Sequence, residues 1–463
     1  MKTFMYLFVC LGTCVFCRAQ FNVGLVNQVG GPQDDAIFAM EAISGGFIMV
    51  GKSGAIGGDV TQNGGCSDVW AIKTNVEGEI LAQNSILLED CDYATDILEL
   101  DDGYLLSATA SIDLNPYMVV MKLNMDLEVD WQYVLADENT DIFSRQVIQT
   151  SDGGYLVTCS TTDSWLPAET GIIKLSGDGQ QTNIFWDPLT YGDVLMTSVW
   201  DGIVVVYTAA NSSDTYAPRM RKYGPEGIEL WSQTYESLSG YVLMAITETG
   251  DSGIMAASIN NSSASVNTNI NMIKFYQNGQ PEYVYNNAGS GNPGKIHHLA
   301  QTATGTFLGA GFITQNNTDD LYLFKTDIEG FIISDEILGG SGDDKVFDAF
   351  WGDDLYLVGS TNSTDGDFGT GNGMTDGFFM KVSTQLSTES FGIKTQRIWP
   401  VPTQSLLNIG FQYTDASIID ITGKTLQAKL TGTSLDVSGL ASGSYFLKVD
   451  VNGQNSMFRF VKN

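Results

Sequence analysis

The sequence predicts an all-β protein on three grounds: its composition, a strand-rich repeat and a change of charge near the carboxyl end. The chain has 463 residues, of which 43% are hydrophobic and 11% aromatic, with 51 glycines and only 10 prolines. This composition is typical of a folded, strand-rich chain. The length exceeds what one hydrophobic core usually supports, so a repeat architecture is expected.

The strongest internal signal is a run of small and β-branched residues that follows a Gly or Asp-Gly turn. It occurs seven times at a spacing of about fifty residues, which is the range of blade-type repeats, beginning at Gly45, Asp102, Asp152, Asp201, Asp251, Gly305 and Gly352. Each copy is followed by a short apolar run that ends in lysine: Lys73, Lys122, Lys174, Lys222, Lys274, Lys325 and Lys381. Only fourteen basic residues lie between Gln20 and Lys394, so seven at one phase indicate a true repeat.

Each repeat divides into four predicted strands, in the second repeat Ala94–Leu100, Tyr104–Ala110, Tyr117–Leu123 and Glu128–Leu135. These runs are rich in Val, Ile, Tyr and Trp and are bounded by Gly, Asp and Asn, as in a meander. Four antiparallel strands in about fifty residues describe one propeller blade. The sequence therefore predicts a seven-bladed β-propeller over residues 21–383.

The amino-terminal end is predicted to close the ring. The seventh repeat, Lys345 to Ser383, has only three strands, whereas Phe21 to Gly30 precedes the first blade at the phase of an outer strand. Pairing the two removes a sheet edge and holds the terminus in place.

The first 19 residues have the layout of a secretory signal peptide. A basic start precedes an apolar run from Phe4 to Phe16, and we expect cleavage near Ala19 or Gln20. The run is short for a transmembrane helix, and no later stretch reaches about 18 apolar residues, so no transmembrane segment is predicted. A lipoprotein acylated at Cys14 or Cys17 is the alternative.

Charge limits the expected partners. The chain has 22 Lys+Arg against 54 Asp+Glu, a formal net charge of −32. This acidic surface repels phosphate backbones and anionic membranes, so nucleic acid is not an expected partner.

The charge composition changes at Gln396: residues 396–463 contain six basic and four acidic residues. We predict a linker at residues 384–396 and a small β-sandwich at residues 397–463. An ordinary immunoglobulin-like adhesion module is the alternative to a dedicated export signal.

Two resemblances extend these predictions. The repeats resemble surface propeller repeats with a DGGY strand and a K-x-D-x-x-G hairpin, seen at Lys73–Gly78 and Lys325–Gly330, which implies architecture only. The segments from Ile398, Ala416 and Ser434, with the terminal FRFVKN, resemble the sorting domain of Bacteroidetes type IX secretion cargo, although Val401-Pro402 replaces the usual Asn-Pro. The resemblance implies recognition by the type IX machinery and release or attachment at the cell surface.

Candidate chemistry is sparse. The two histidines, His297 and His298, are adjacent, so a shared metal site would need ligands from elsewhere, and structural or surface roles are expected. The chain has no Gly-x-Ser-x-Gly motif, and carboxylates are too numerous to single out a glycosidase pair. We therefore predict no catalytic, metal-binding or cofactor-binding residue and no cofactor.

Loop lengths indicate which face binds. Turns after the first and third strands are short, whereas loops after the second and fourth are long: Gly54–Ser67, Thr161–Thr170, Asn211–Ala217, Asn260–Thr268 and Thr361–Thr375. In a meander the two sets emerge at opposite ends, so the long-loop face is the expected binding face. Two of its loops share an Asp pair nine residues apart, Asp59 with Asp68 and Asp367 with Asp376, which predicts either a Ca²⁺ site or hydrogen-bonded turns.

Cysteines and tryptophans give further expectations. Cys66 and Cys91 fall in loops of the long-loop face and are predicted to form a disulfide, whereas Cys159 is predicted to be a buried thiol. Trp131, Trp186 and Trp231 are at equivalent outer-strand positions, which favours packing between blades. Trp165, in a long loop, is the candidate stacking residue for a glycan.

The function that these features favour is an exported extracellular or cell-surface binding or scaffold protein. Its long-loop face would contact a glycan or a protein, and the chain is expected to be a monomer. The alternative is a secreted polysaccharide hydrolase or lyase that uses loop carboxylates. A third possibility is a structural element of the cell surface.

Overall fold

The computed structural model describes most of the chain from Gln20 onward. The described residues are 20–88, 90–113, 115–162, 168–210, 216–260, 269–287, 292–385, 398–399, 403, 405–409, 415–420, 424–426, 429–431, 434–441, 443–451 and 454–462. The chain divides into two compact units, Met1–Glu389 and Ser390–Asn463. The predicted signal peptide, residues 1–19, lies outside the described residues.

Strands dominate the first unit, and the helix found among its described residues is the short 3-10 turn Glu236–Leu238. After β1 (Gln20–Val29), one sheet contains β2 (Ala36–Ile43), β3 (Gly46–Ser53), β4 (Asp68–Asn75) and β5 (Ile80–Ile86). The next sheet contains β6 (Tyr93–Leu100), β7 (Gly103–Ile112), β8 (Asn115–Leu123) and β9 (Val129–Leu135). The strand bounds of this second sheet agree closely with those predicted for the second repeat.

A seven-stranded sheet follows. It contains β10 (Asp141–Gln149), β11 (Tyr155–Thr162), β12 (Ala168–Leu175), β13 (Gln181–Val199), β14 (Gly202–Ala210), β15 (Tyr216–Tyr223) and β16 (Glu229–Thr234). The 19-residue β13 pairs with β12 through its first half and with β14 through its second half, and so joins two repeats.

Three four-stranded sheets complete the unit. They contain β17 (Tyr241–Glu248), β18 (Ile254–Asn260), β19 (Asn271–Phe275) and β20 (Pro281–Asn286); β21 (Asn292–Gln301), β22 (Phe307–Gln315), β23 (Thr318–Thr326) and β24 (Ile332–Leu338); and β25 (Asp344–Trp351), β26 (Leu355–Thr361) and β27 (Asp376–Gln385) with β1. β1 pairs antiparallel with β27 from Gln20 opposite Gln385 to Val29 opposite Gly377, as the sequence predicted.

The first strands of the repeats contact one another in a closed cycle. β2 contacts β6, and the contacts continue through β10, β13, β17, β21 and β25 back to β2. The unit is therefore propeller-like, with strands leading outward from a central ring.

Apolar cores lie between neighbouring sheets. Ile48 of β3 and Leu106 of β7 share one cluster, as do Leu308 of β22 and Leu357 of β26. Each such fully buried side chain contributes about 1.5–3 kcal/mol. Burial on both faces explains why the second strands read as continuous runs of β-branched and small residues.

Glycine turns fit against the previous sheet. A Cβ atom at Gly179 would lie 2.6 Å from the Trp131 ring, and one at Gly279 would lie 2.3 Å from the Trp231 ring. Trp131 and Trp186 also pack against one shared core and Trp231 against another, which confirms their predicted packing role.

The second unit contains two four-stranded sheets. Its strands are β28 (Ile398–Trp399), β29 (Leu406–Ile409), β30 (Asp415–Asp420), β31 (Thr425–Leu426), β32 (Lys429–Thr431), β33 (Ser434–Asp436), β34 (Gly443–Val451) and β35 (Gln454–Lys462). The sheet orders are β28-β29-β33-β32 and β31-β30-β34-β35. Leu407 and Leu435 of one sheet share a core with Leu447 and Phe460 of the other.

Candidate functional site

A cavity of about 640 Å³ lies among the seven first strands. Each of these strands has a register shift, or β-bulge, in its pairing with the second strand of the repeat. Bulges turn side chains away from the regular alternation of a strand. At six of them a side chain lines the cavity: Phe38, Thr95, Arg145, Asp193, His297 and Phe347.

One wall of the cavity carries two cations on a single carboxylate. The Nζ atom of Lys295 lies 2.5 Å from one oxygen of Asp193, and an Nη atom of Arg145 lies 3.8 Å from the other. Burial opposes ionisation of Asp193, but Lys295 and Arg145 outweigh it and hold its pKa below the ordinary value. Arg145 is also oriented by Ser160, whose Oγ accepts hydrogen bonds at 3.0 and 2.8 Å.

Aromatic rings form another part of the wall. The Phe38 and Phe347 rings lie 5.0 Å apart, and Tyr93 lies 5.8 Å from Phe38. His297 meets Phe347 edge-on with ring centroids 5.5 Å apart. These rings come from β21, β25, β2 and β6, which are consecutive in the cycle.

The cavity acids are held by hydrogen bonds between first strands. An oxygen of Asp96 accepts from the Val147 amide at 2.9 Å, and an oxygen of Asp348 accepts from the Met40 amide at 2.9 Å. Gln146 does the same with its side-chain oxygen, which accepts from the Met196 amide at 2.6 Å. Since an uncharged amide serves the same purpose, we interpret Asp96 and Asp348 as bridges between neighbouring strands.

The surroundings of Asp96 disfavour its charge. The carboxyl group reaches the cavity but is enclosed by protein, and this enclosure, together with the nearby Asp348 and Glu41, raises its pKa to about 8. Asp96 is therefore mostly protonated at neutral pH, which makes it the acid with the most perturbed surroundings in the cavity.

Both histidines line the cavity, whereas the sequence predicted structural or surface roles for them. Because the bulge lies between Ile296 and His298, the two side chains do not simply alternate across the strand. Nδ1 of His298 lies 3.2 Å from Asp348. Burial and the nearby Lys295 lower the pKa of His297 to about 3, so its ring is neutral.

The four loop aspartates do not form one site. Asp59 and Asp376 meet through Asn372, whose side-chain amide donates to Asp59 at 3.3 Å and whose backbone amide donates to Asp376 at 2.9 Å. Asp68 instead accepts from the Gly64 amide at 2.7 Å, and Asp367 from the Gly339 amide at 2.8 Å. Carboxylates that accept loop amides are the hydrogen-bonded turns that the sequence offered as the alternative to Ca²⁺.

No metal-binding arrangement stands out in the part of the chain that the structure describes: no group of three His, Cys, Asp or Glu side chains there is placed to hold an ion. Within the same residues, no helix is long and apolar enough to span a membrane.

The cysteines are as predicted. Cys66 and Cys91 form a disulfide with their Cα atoms 5.1 Å apart, which links the loop after β3 to the loop after β5. Cys159 is a buried free thiol, and burial raises its pKa to about 12, so it is not a reactive thiolate. The candidate stacking residue Trp165 lies outside the described residues.

Six of the seven repeat lysines make contacts that hold the sheets together. Five pair with an aspartate in or beside the turn between the first and second strands, namely Lys122 with Asp102, Lys174 with Asp152, Lys222 with Asp201, Lys274 with Asp251 and Lys381 with Asp354. Lys73 donates to the Met125 carbonyl at 2.6 Å in the neighbouring sheet. The off-phase cations Arg145 and Lys295 were not singled out from the sequence, although their departure from the repeat was a usable signal.

The fold and the site define an all-β protein with a propeller-like first unit and a central cavity. Residues 397–463 match the family of secretion system C-terminal sorting domains. This tail is the sorting domain of a Bacteroidetes type IX secretion cargo, and the protein is exported to the cell surface or the extracellular space.

Solved structures with similar folds are distant in sequence. PorZ, an essential bacterial surface component of the type-IX secretion system of Porphyromonas gingivalis, is 13% identical with a TM-score of 0.43, over 94% of this chain and 60% of that chain. Sqt1 from Chaetomium thermophilum is 10% identical with a TM-score of 0.44, over 80% of this chain and 100% of that chain. A neuraminidase-like protein of A/bat/Guatemala/164/2009 is 11% identical with a TM-score of 0.41, over 80% and 97% of the two chains. None of the curated proteins matches this chain.

Proposed function

We propose that this exported protein is a binding or scaffold protein in which a seven-bladed β-propeller presents a surface for a glycan or a protein. Seven blades follow if the seven-stranded sheet is counted as two, with β13 serving as the outer strand of one blade and the first strand of the next. The closed cycle of seven first strands and the pairing of β1 with β27 support this count.

The domain assignment belongs to the same proposal. Residues 1–19 are a signal peptide that is removed, residues 21–383 the propeller, residues 384–396 a linker and residues 397–463 a β-sandwich that directs secretion. The shared core of the two tail sheets supports the sandwich. The mature chain acts as a monomer, with its long-loop face and cavity available to a ligand.

The binding role is supported by a difference between two sets of cavity side chains: the acids are hydrogen-bonded between strands, whereas the cations are partly exposed. Asp96 and Asp348 are engaged in hydrogen bonds between strands, which a glutamine also provides at β10. Arg145 and Lys295 keep 33% and 30% of their side chains exposed, and the half-buried Phe38 lines the same cavity. Charged and aromatic groups of this kind bind a ligand without catalysing a reaction.

A polysaccharide hydrolase or lyase is the second candidate, and one observation favours it. Asp96 has a pKa of about 8 and lies near Asp348, so a protonated carboxyl group and a second carboxyl group face one cavity. Glycosidases use such a pair as acid and base. In that case Asp96→Asn would abolish turnover.

A glycan array with parallel assay of reducing ends separates these functions. The purified mature chain, with Asp96→Asn as the matched variant, is incubated on the array and the supernatant is assayed for released sugar. We expect retained binding by both proteins and no release. Release by the wild type alone would establish the enzyme, and neither binding nor release would favour a structural element of the cell surface.

A further inference from the structure

The cation pair in the cavity is unusual for this chain. The protein has a net charge of −32, and most repeat lysines are neutralised by aspartates one to one. In contrast, Arg145 and Lys295 share the single carboxylate of Asp193, so this group of three side chains carries one positive charge in excess, although Glu41, Asp96 and Asp348 also line the cavity. Asp193 also shows that the space between the two cations has the right size for a carboxylate.

The cations are built into the wall. Two hydrogen bonds from the Arg145 guanidinium to Ser160 fix its plane, and Asp193 fixes the Lys295 ammonium at 2.5 Å. About a third of each side chain is exposed, 33% for Arg145 and 30% for Lys295. A second carboxylate could therefore approach the same donors from the cavity, where enclosure by protein strengthens the attraction.

The remaining lining fits the body of a sugar. Phe38 and Phe347 form a tilted pair of rings at 5.0 Å, and such apolar faces stack against the C–H faces of pyranose rings. A volume of about 640 Å³ lies within the range of about 300–1,000 Å³ that is usual for small-molecule sites.

We infer that the cavity binds a uronic-acid residue of an acidic saccharide, with its carboxylate on Arg145 and Lys295 and its ring against Phe38 and Phe347. This inference rests on the proposed binding function and names its ligand class. Recognition is by charge and stacking, and no bond in the saccharide is broken.

The test is calorimetric titration of the mature chain with trigalacturonate and with its fully methyl-esterified form, which has the same shape but no charge. We expect the acid form to bind at least tenfold more tightly than the ester, and binding to weaken as salt is raised. Arg145→Gln and Lys295→Met should each reduce affinity at least tenfold, and Phe347→Leu should reduce it for the acid form.

Lys345→Met is the matched control, because Lys345 is 32% exposed and pairs with one aspartate, Asp319, away from the cavity. It should leave affinity unchanged, and thermal unfolding of every variant verifies that the fold is intact. Equal binding of acid and ester would overturn the inference, as would a Lys345→Met loss equal to that of Lys295→Met. If trigalacturonate fails to bind while another array glycan binds, the inference is wrong and the binding function stands; if nothing on the array binds, glycan recognition by this protein fails as well.

Discussion

At the scale of single residues, a largely buried charge cluster lies in the sheet that joins two repeats. Both oxygens of Asp187 in β13 lie 2.6 Å from an Nη atom of Arg219, and one oxygen lies 3.0 Å from Arg221. Tyr207 donates a hydrogen bond to the same carboxylate. The cluster holds β13, β14 and β15 together where the strand passes from one repeat to the next.

Asp187→Asn should therefore destabilise the protein strongly. The substitution leaves two arginines facing a neutral group in a buried site, and breaking a buried pair costs about 3–5 kcal/mol. Urea denaturation measures the free energy of unfolding. Asp102→Asn is the control: it breaks the exposed pair with Lys122, and the loss should stay below about 1 kcal/mol. Equal losses in the two variants would contradict the assignment.

Asp96 predicts a pH dependence of stability. Its pKa is about 8 in the folded protein and about 4 in an unfolded chain, so the folded state binds the proton more tightly. Its contribution to stability is fully present below about pH 4 and is lost as the pH rises through 8. The nearby carboxyl groups of Asp348 and Glu41 add to the effect of burial in raising the pKa of Asp96.

Asp96→Asn should remove this dependence, because the amide oxygen still accepts from Val147. Relative to the wild type, the variant should gain stability steadily between pH 4 and pH 8. Chemical denaturation at several pH values provides the measurement. A constant difference between the two proteins across this range would show that Asp96 is ionised in the folded state.

At the scale of elements, β1 is the strand that completes the last sheet of the first unit. It pairs along its length with β27, and Phe21 and Val29 are 5% and 4% exposed. Deleting residues 20–29 should lower the free energy of unfolding by about 3–6 kcal/mol from these two side chains alone. Thermal unfolding of the truncated chain measures the loss.

A synthetic peptide of residues 20–30 should restore that stability by adding a strand to β27. A scrambled peptide of the same composition is the control and should have no effect. Restoration by the scrambled peptide would mean that β1 acts through its composition and not through its register.

Many strand positions were predictable because the residues that specify each strand are close together in the sequence. The Gly turns, the strand-rich runs and the lysine phase predicted the second sheet nearly to the residue, and the three-stranded seventh repeat pointed to β1. The cavity was not predictable in the same way. Arg145, Asp193 and Lys295 come from three distant strands, and the bulges that contain Arg145 and Asp193 follow from no local sequence pattern.

The fused sheet illustrates the same limit. Trp186 was assigned to an outer strand, and that assignment holds, but the chain continues beyond it as one strand to Val199. The salt-bridged Asp187 lies within this strand, and that contact depends on Arg219 in another strand.

At the scale of the whole molecule, the two units have separate tasks. The first has its own cores, and the tail has another formed by residues of its two sheets alone. Deleting residues 397–463 should leave the first unit folded but should stop its passage across the outer membrane. Fractionation of a Bacteroidetes host that carries a type IX system, followed by immunoblotting, locates the protein.

The complementary experiment attaches residues 384–463 to a secreted fluorescent reporter, which should then reach the cell surface or the medium. A reporter with an unrelated immunoglobulin-like module of similar size is the control. Export of the truncated chain at the level of the intact one would show that the tail is dispensable.

The pairing of β1 with β27 also sets an order of events in the life of the chain. β1 is made before its partner, which begins at residue 376, so this sheet stays incomplete until residues 376–385 have been made. A contact between such distant segments forms slowly, since a long loop must close before the contact can form. The sheet that β1 completes is thus expected to close late, which leaves the earlier sheets time to assemble.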